Sequence, residues 1–195
     1  KLILADDEEM IRESIRALID WNSIGVEVVA SCKNGPETLQ AILTLHPDIV
    51  MTDIKMPGMS GLDLIAEVYN RKDLMTEFIL LSGYADFEYA KQAITYRVSN
   101  YLLKPCNENQ IIEAVKKASV EIRKRKKIKE LIISMNDIEE ECDKLFLFSM
   151  RELTKNTKDI LLTASWRKIF DCLEACADAC EHVSECVGTV IMKNT

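Results

Sequence analysis

The stretch Asp48-Ile49-Val50-Met51-Thr52-Asp53-Ile54-Lys55-Met56-Pro57-Gly58 runs an apolar strand into a carboxylate, Asp53, and then turns through Met-Pro-Gly. Three more apolar stretches end on reactive groups. Leu2-Ile3-Leu4-Ala5 leads to the acidic pair Asp6 and Asp7, Phe78-Ile79-Leu80-Leu81 to Ser82, and Tyr101-Leu102-Leu103 to Lys104-Pro105. Singly, each has an ordinary explanation: a solvated turn, a common loop, a chance Lys-Pro. Their ordered recurrence at successive strand ends carries the specificity.

Working outward, strands are expected near 2–5, 26–31, 48–52, 78–81 and 99–103, and helices near 8–20, 36–45, 61–70, 86–96 and from 107 onward. That alternation predicts an α/β fold whose five-stranded parallel sheet is covered on both faces. Functional groups of such a sheet gather at the carboxyl ends of its strands, so the four strand ends should meet in one crevice. Clustered carboxylates repel one another and suit a hard divalent cation such as Mg²⁺. A hydroxyl at Ser82 and an ammonium at Lys104 can contact phosphoryl oxygens. The chemistry these residues suggest is phosphoryl transfer to an aspartate, driven by positioning and electrostatics.

Over about the first 120 residues these motifs resemble the receiver domain of two-component response regulators. The resemblance implies the sheet order 2-1-3-4-5 of CheY/flavodoxin-like folds, which periodicity alone does not give. It implies Asp53 as phosphoacceptor, with Asp7 and Asp53 as direct Mg²⁺ ligands, Asp6 acting through water and the main-chain carbonyl of Lys55 as a further ligand. Ser82 and Tyr101 match the switch pair, and Lys104 the phosphate-binding lysine followed by a cis peptide to proline. The wording Ile19-Asp20-Trp21, Gly25-Val26-Glu27-Val28-Val29 and Ser82-Gly83-Tyr84-Ala85-Asp86-Phe87-Glu88-Tyr89-Ala90 looks most like receivers that precede AraC-type DNA-binding domains. Lys55 and Tyr84, each two residues beyond a site residue, stand at places from which side chains can shield or admit the water that hydrolyses an aspartyl phosphate, and the bulky pair is expected to slow that loss.

Composition points to a cytoplasmic protein. At 195 residues the chain can hold one full domain and a smaller one. No apolar run spans a membrane and no secretory pattern opens the chain, which starts within its first strand as if a methionine and a residue or two preceded it. Seven cysteines, an odd number, suggest free thiols. A net charge of −7 does not suggest a nucleic-acid surface, and the basic run Arg123-Lys124-Arg125-Lys126-Lys127-Ile128-Lys129 reads as a solvated helical face. Direct DNA binding by this chain is not expected.

The receiver is expected to occupy 1–122 and a helical extension 123–195. From Asn107 to Leu153 the pattern reads as one long helix without a flexible linker. A second helix is expected from Ser165 to Met192, paired antiparallel through a polar turn at Thr154–Asp159. Its apolar stripe would include Trp166, Ile169, Phe170, Leu173, Ala177, Cys180, Val183, Val187 and Val190. The result would be an all-α hairpin or small bundle. Segments at 136–143, 166–170 and 175–183 resemble part of PhoU-like helical proteins, covering about the last 70 residues and little more than one of that family's repeated units. By that resemblance Glu139 with Asp143, and Asp178 with His182, match acidic pairs that bind metal. Cys172, Cys176 and Cys180 share the same spacing and suggest buried packing, with zinc binding as the alternative.

The expectation is a phosphorylation-controlled receiver, not a conventional enzyme, joined to a helical output or dimerisation element. A histidine kinase or small phosphodonor would supply Asp53. The change would spread through Ser82 and Tyr101 to the face of the receiver's fourth helix, fifth strand and fifth helix, where, or through the helical tail, the chain can form a homodimer. The alternatives are a non-phosphorylated interaction scaffold, a PhoU-like phosphate-signalling adaptor, and an engineered chimera without its own output.

Overall fold

The computed structural model describes residues 1–71, 74–83, 89, 91–92, 96, 98, 100–156 and 158–193. Its five strands are β1 (Leu2–Ala5), β2 (Val28–Cys32), β3 (Ile49–Asp53), β4 (Glu77–Ser82) and β5 (Asn100–Leu103). All are parallel, in the order β2-β1-β3-β4-β5. The described helices are α1 (Glu9–Leu18), α2 (Gly35–Leu45), α3 (Gly61–Tyr69), α4 (Glu108–Asn156) and α5 (Ile160–Lys193). The helix expected near 86–96 lies largely outside the described residues.

Side chains alternate across each strand, so the apolar runs feed two cores. Leu2, Leu4, Met51, Ile79 and Leu81 meet Ile15 of α1 and Ile111, Val115 and Ile122 of α4. Ile3, Val50, Phe78 and Leu80 face the other way, onto Ile42 of α2 and Leu64, Ile65 and Val68 of α3. Helix starts follow local chemistry. Asn34 accepts the Glu37 N–H at the head of α2, and Ser60 and Asp63 form a reciprocal capping box at the head of α3.

The chain divides into two compact units, residues up to Lys124 and residues from Arg125 onward, with α4 contributing to both. In the second unit α4 and α5 form a hairpin. Ser184 donates to Asn136 Oδ1 at 2.8 Å, and a methyl of Ile132 lies 3.7 Å from where a Cβ on Gly188 would stand. Helix α5 starts at Ile160, before the expected Ser165, because Asp159 Oδ1 accepts the N–H groups of Leu161 (2.9 Å) and Leu162 (3.1 Å).

The seam of the hairpin differs from the expected apolar stripe. On α5 it is made by Phe170, Glu174, Ala177, Glu181, Ser184 and Gly188, whereas Trp166, Ile169, Leu173, Val183, Val187 and Val190 are exposed. The small residues Ala177, Ser184 and Gly188 let the two helices approach closely along this side. Cys172, Cys176 and Cys180 are exposed too, not buried as their spacing suggested, because no described third helix covers that face of the hairpin.

Leu80 is fully buried between strands and helices, whereas Met10 is 81% exposed. Leu80→Ala is expected to lower unfolding free energy by about 2–5 kcal/mol, and Met10→Ala to change it by under about 0.5 kcal/mol, in urea titrations. Equal midpoints for the two variants would contradict this assignment of the core.

Candidate functional site

Strand register brings the site together. Ala5 pairs with Thr52, Asp53 with Leu81, and Ser82 with Leu103, so the groups that follow β1 and those that end β3, β4 and β5 share one edge of the sheet. Asp6, Asp53 and Ser82 are buried, and Asp7 is exposed beside them. The three carboxylates each offer an oxygen within 4.8 Å of the others. Lys104 reaches in from the end of β5. Its Nζ lies 2.6 Å from Asp6 Oδ2 and 2.9 Å from Asp53 Oδ1.

Main-chain bonds hold Asp6, Asp53, Ser82 and Lys104. Asp6 Oδ1 accepts the Glu8 N–H at 3.0 Å, and Asp53 Oδ2 accepts the Lys55 N–H at 3.1 Å. The Lys104 N–H donates to the Ser82 carbonyl at 2.7 Å, and the peptide to Pro105 is cis, as the resemblance implied. Helix α3 starts hard against β3, where a Cβ on Gly61 would fall onto the Asp53 carbonyl. Tyr101 is half-buried against the core on the α2 and α3 side.

Burial pushes the Asp53 carboxyl above its ordinary range, and the charge of Asp6 adds to this. The Lys104 ammonium and the Lys55 N–H oppose it by favouring the carboxylate. Burial alone would lower Lys104, yet its hydrogen bonds to Asp6 and Asp53 outweigh that and raise it. The donor set of Asp6, Asp7 and Asp53 is all oxygen and strongly anionic, which fits a hard divalent cation.

Beside the acidic group lies a cleft of about 480 Å³ lined by Asp7, Lys55, Met56, Ser60, Asp63, Tyr89 and Gln92. Lys55 thus stands beside the site, while Tyr84 lies outside the described residues. The sequence reading missed Arg12. Its Nη1 donates to the Asp6 carbonyl at 2.5 Å and its Nε to Ser31 Oγ at 3.2 Å, tying the acidic turn to β2. A basic residue one turn into the helix after the acidic pair was the available signal. Tyr89 and Gln92 were also missed, and only the folded cleft identifies them.

The four tail residues singled out from the sequence are not all brought together. Glu139, Asp143 and Asp178 approach within 4.8 Å of one another, but His182 stands apart from them, with Nε2 3.8 Å from Cys186 Sγ. Glu174 and Glu181 are the further acidic neighbours. Desolvation at the seam and the charges of Asp143, Glu181 and Asp178 raise Glu139, and desolvation with Asp143, Asp178 and Glu139 raises Glu174. A side chain four residues along one helix was an incomplete guide, because the facing helix supplies its own carboxylates.

The family profile described as Response regulator receiver domain matches residues 2–116. An uncharacterized transcriptional regulatory protein of Bacillus subtilis, YesN, is 44% identical over 125 residues, which is 64% of this chain and 34% of that protein. The transcriptional regulatory protein HptR of Staphylococcus aureus is 38% identical over 111 residues, 57% of this chain and 43% of its own length. The chain therefore spans well under half the length of both relatives. Among solved structures, the REC domain of AraT, a response regulator from Geobacillus stearothermophilus, superposes with a TM-score of 0.59 at 37% identity, covering 64% of this chain and 96% of that one. A two component transcriptional regulator AraC from Clostridium phytofermentans gives 0.58 at 28% identity, covering 63% and 95%.

Lys104→Met removes the cation between two buried carboxylates. It is expected to cost about 1–3 kcal/mol in urea titrations with a chelator present, and unchanged stability would show that this bridge does not hold the strand ends. In the hairpin, raised Glu139 and Glu174 take up protons more readily folded than unfolded. Helix content by circular dichroism should therefore resist denaturant better as pH falls from neutral through the range where those carboxyls titrate; weakening over that range would contradict it.

Proposed function

Because this chain belongs to the response regulator receiver domain family and so to two-component signalling, we propose that Asp53 is its phosphoacceptor and Asp6, Asp7 and Asp53 its Mg²⁺ site. The supporting observation is the Lys104 ammonium seated between Asp6 and Asp53, with Asp7 alongside. An Asp53 carboxylate oxygen attacks phosphorus and forms a new P–O bond. The bond from phosphorus to the donor breaks, a P–N bond for a kinase phosphohistidine or a P–O bond for acetyl phosphate, and the donor leaves with the electron pair. Lys104 and the Lys55 N–H favour the ionised carboxylate that attacks. Bound Mg²⁺ supplies charge neutralisation at the phosphoryl oxygens.

Ser82, at the end of β4, and Tyr101, in β5, are the proposed switch pair, with Ser82 placed to donate to a phosphoryl oxygen and Tyr101 to report that contact to the surface. Lys55, in the wall of the cleft, is the proposed shield that slows loss of the phosphoryl group. The proposed partner is a sensor histidine kinase, in the cytoplasm; no described helix is long and apolar enough to cross a membrane. The relatives named as transcriptional regulators support a role in gene control for a protein containing this receiver, and the AraC-type wording points the same way. The hairpin is the proposed output or dimerisation element. A PhoU-like role for it rests on the resemblance of residues 136–143, 166–170 and 175–183.

Incubation with acetyl phosphate and Mg²⁺ should add the mass of one phosphoryl group, lost in Asp53→Ala and in the presence of a chelator. Modification that persists in Asp53→Ala, or absence of modification in the wild type under conditions that phosphorylate a control receiver, would overturn the assignment.

A further inference from the structure

Exposed apolar side chains are distributed very unevenly. Of the twenty large apolar residues found exposed among the described residues, fifteen follow Arg125, in a unit that consists of two helices. A two-helix hairpin has one seam, and this seam is narrow and partly acidic, with Glu139, Glu174 and Glu181 at half-buried positions. Beside it runs a second stripe. Trp166, Ile169, Leu173 and Val183 repeat at steps of three, four and ten along α5, which keeps them on one face, and Ile138 and Leu145 are seven apart on α4. The two helices wall a groove of about 560 Å³ to which Ile138, Leu145 and Leu173 contribute.

We propose that this apolar face is the interface between two copies of the chain, which close the hairpins into a four-helix bundle. The exposed fractions of the stripe residues on both helices correspond to about 650 Å² per copy, most of the roughly 800 Å² that each partner of a standard stable interface buries, and the polar residues at its rim would supply the remainder. An exposed patch of that size is above what monomeric proteins ordinarily leave in water. The heptad-like spacing is that of helices packing at shallow angles, and a face apolar on both helices is complementary to itself under a two-fold axis. A second hairpin supplies the two helices that a four-helix core needs. The inference rests on the reading of the hairpin as a dimerisation element and is independent of phosphorylation at Asp53.

The test is the mass of the intact 195-residue protein by sedimentation across micromolar concentrations. Wild type and Asp53→Ala, without phosphodonor, should both sediment at twice the 22.2 kDa chain mass. Leu173→Asp combined with Ile138→Glu should sediment as a monomer, and the milder Leu173→Ala should weaken the dimer by about tenfold or more. Leu147→Glu, an exposed position two residues past Leu145 and so turned away from the groove face, should leave the dimer intact. These side chains are exposed in a single copy, so the substitutions leave the receiver fold untouched, and circular dichroism checks the helices. A monomeric wild type would overturn the proposal and leave the groove to another occupant. A dimer that survives the double substitution would overturn it as well, placing the interface elsewhere.

Discussion

One ammonium group holds the site's geometry. Asp6 and Asp53 follow neighbouring strands, are both buried, and would repel each other across the edge of the sheet; Lys104 arrives from β5, beyond β4, and sits within hydrogen-bond distance of both. Burial makes the carboxylates costly, and the lysine offsets that cost only if β1, β3 and β5 end in register. The rest of the edge serves the same end. The Lys104 N–H is tied to the Ser82 carbonyl, the Ile54 N–H to the Leu81 carbonyl at 3.1 Å, and Arg12 to the Asp6 carbonyl. Gly61 lets α3 begin against the Asp53 backbone, where its N–H donates to the Ile54 carbonyl at 2.8 Å. The Asp53 carboxylate is thereby held in place by its surroundings.

Much of this edge was legible in the sequence because it is written locally. A strand buried on both faces is a short apolar run, and the residue ending each run is the one the sheet presents at its carboxyl edge. Hence Asp6, Asp7, Asp53, Ser82 and Lys104 could be picked out before their neighbours were known. Strand order could not, since β1 sits between β2 and β3 through crossovers that leave no mark on periodicity; the resemblance supplied it. Arg12 was missed for a related reason. Its partners, the Asp6 carbonyl and Ser31 Oγ, are a main-chain atom and a residue nineteen positions away.

The hairpin was less legible because two stripes compete on α5. The more apolar one, through Trp166, Leu173 and Val183, drew the reading, whereas the packed seam runs through Ala177, Ser184 and Gly188. Hydrophobicity predicts which surface avoids water, and helix approach depends equally on how small the contacting residues are. The acidic group follows the same logic. His182 shares a face with Asp178 along one helix, but Glu174 and Glu181 are brought to Glu139 and Asp143 by the antiparallel pairing, which no single-helix spacing encodes.

The two units are also unequal in how far each satisfies itself. Among the described residues up to Lys124 the sheet has helices packed on both sides and few large apolar side chains remain in solvent. Asp6, Asp7, Asp53, Ser82 and Lys104 all belong to that unit. From Arg125 onward the opposite holds, because two helices cannot enclose a core and the widest apolar face stays open. The stability of such an element is coupled by mass action to whatever covers it, so its state depends on concentration and on partner affinity in a way that the receiver's does not. If Asp53 is phosphorylated as proposed, the added group could act on the helical unit only through a difference in free energy between its open and covered states, and that difference, not the distance from Asp53, would set how strongly the two are linked.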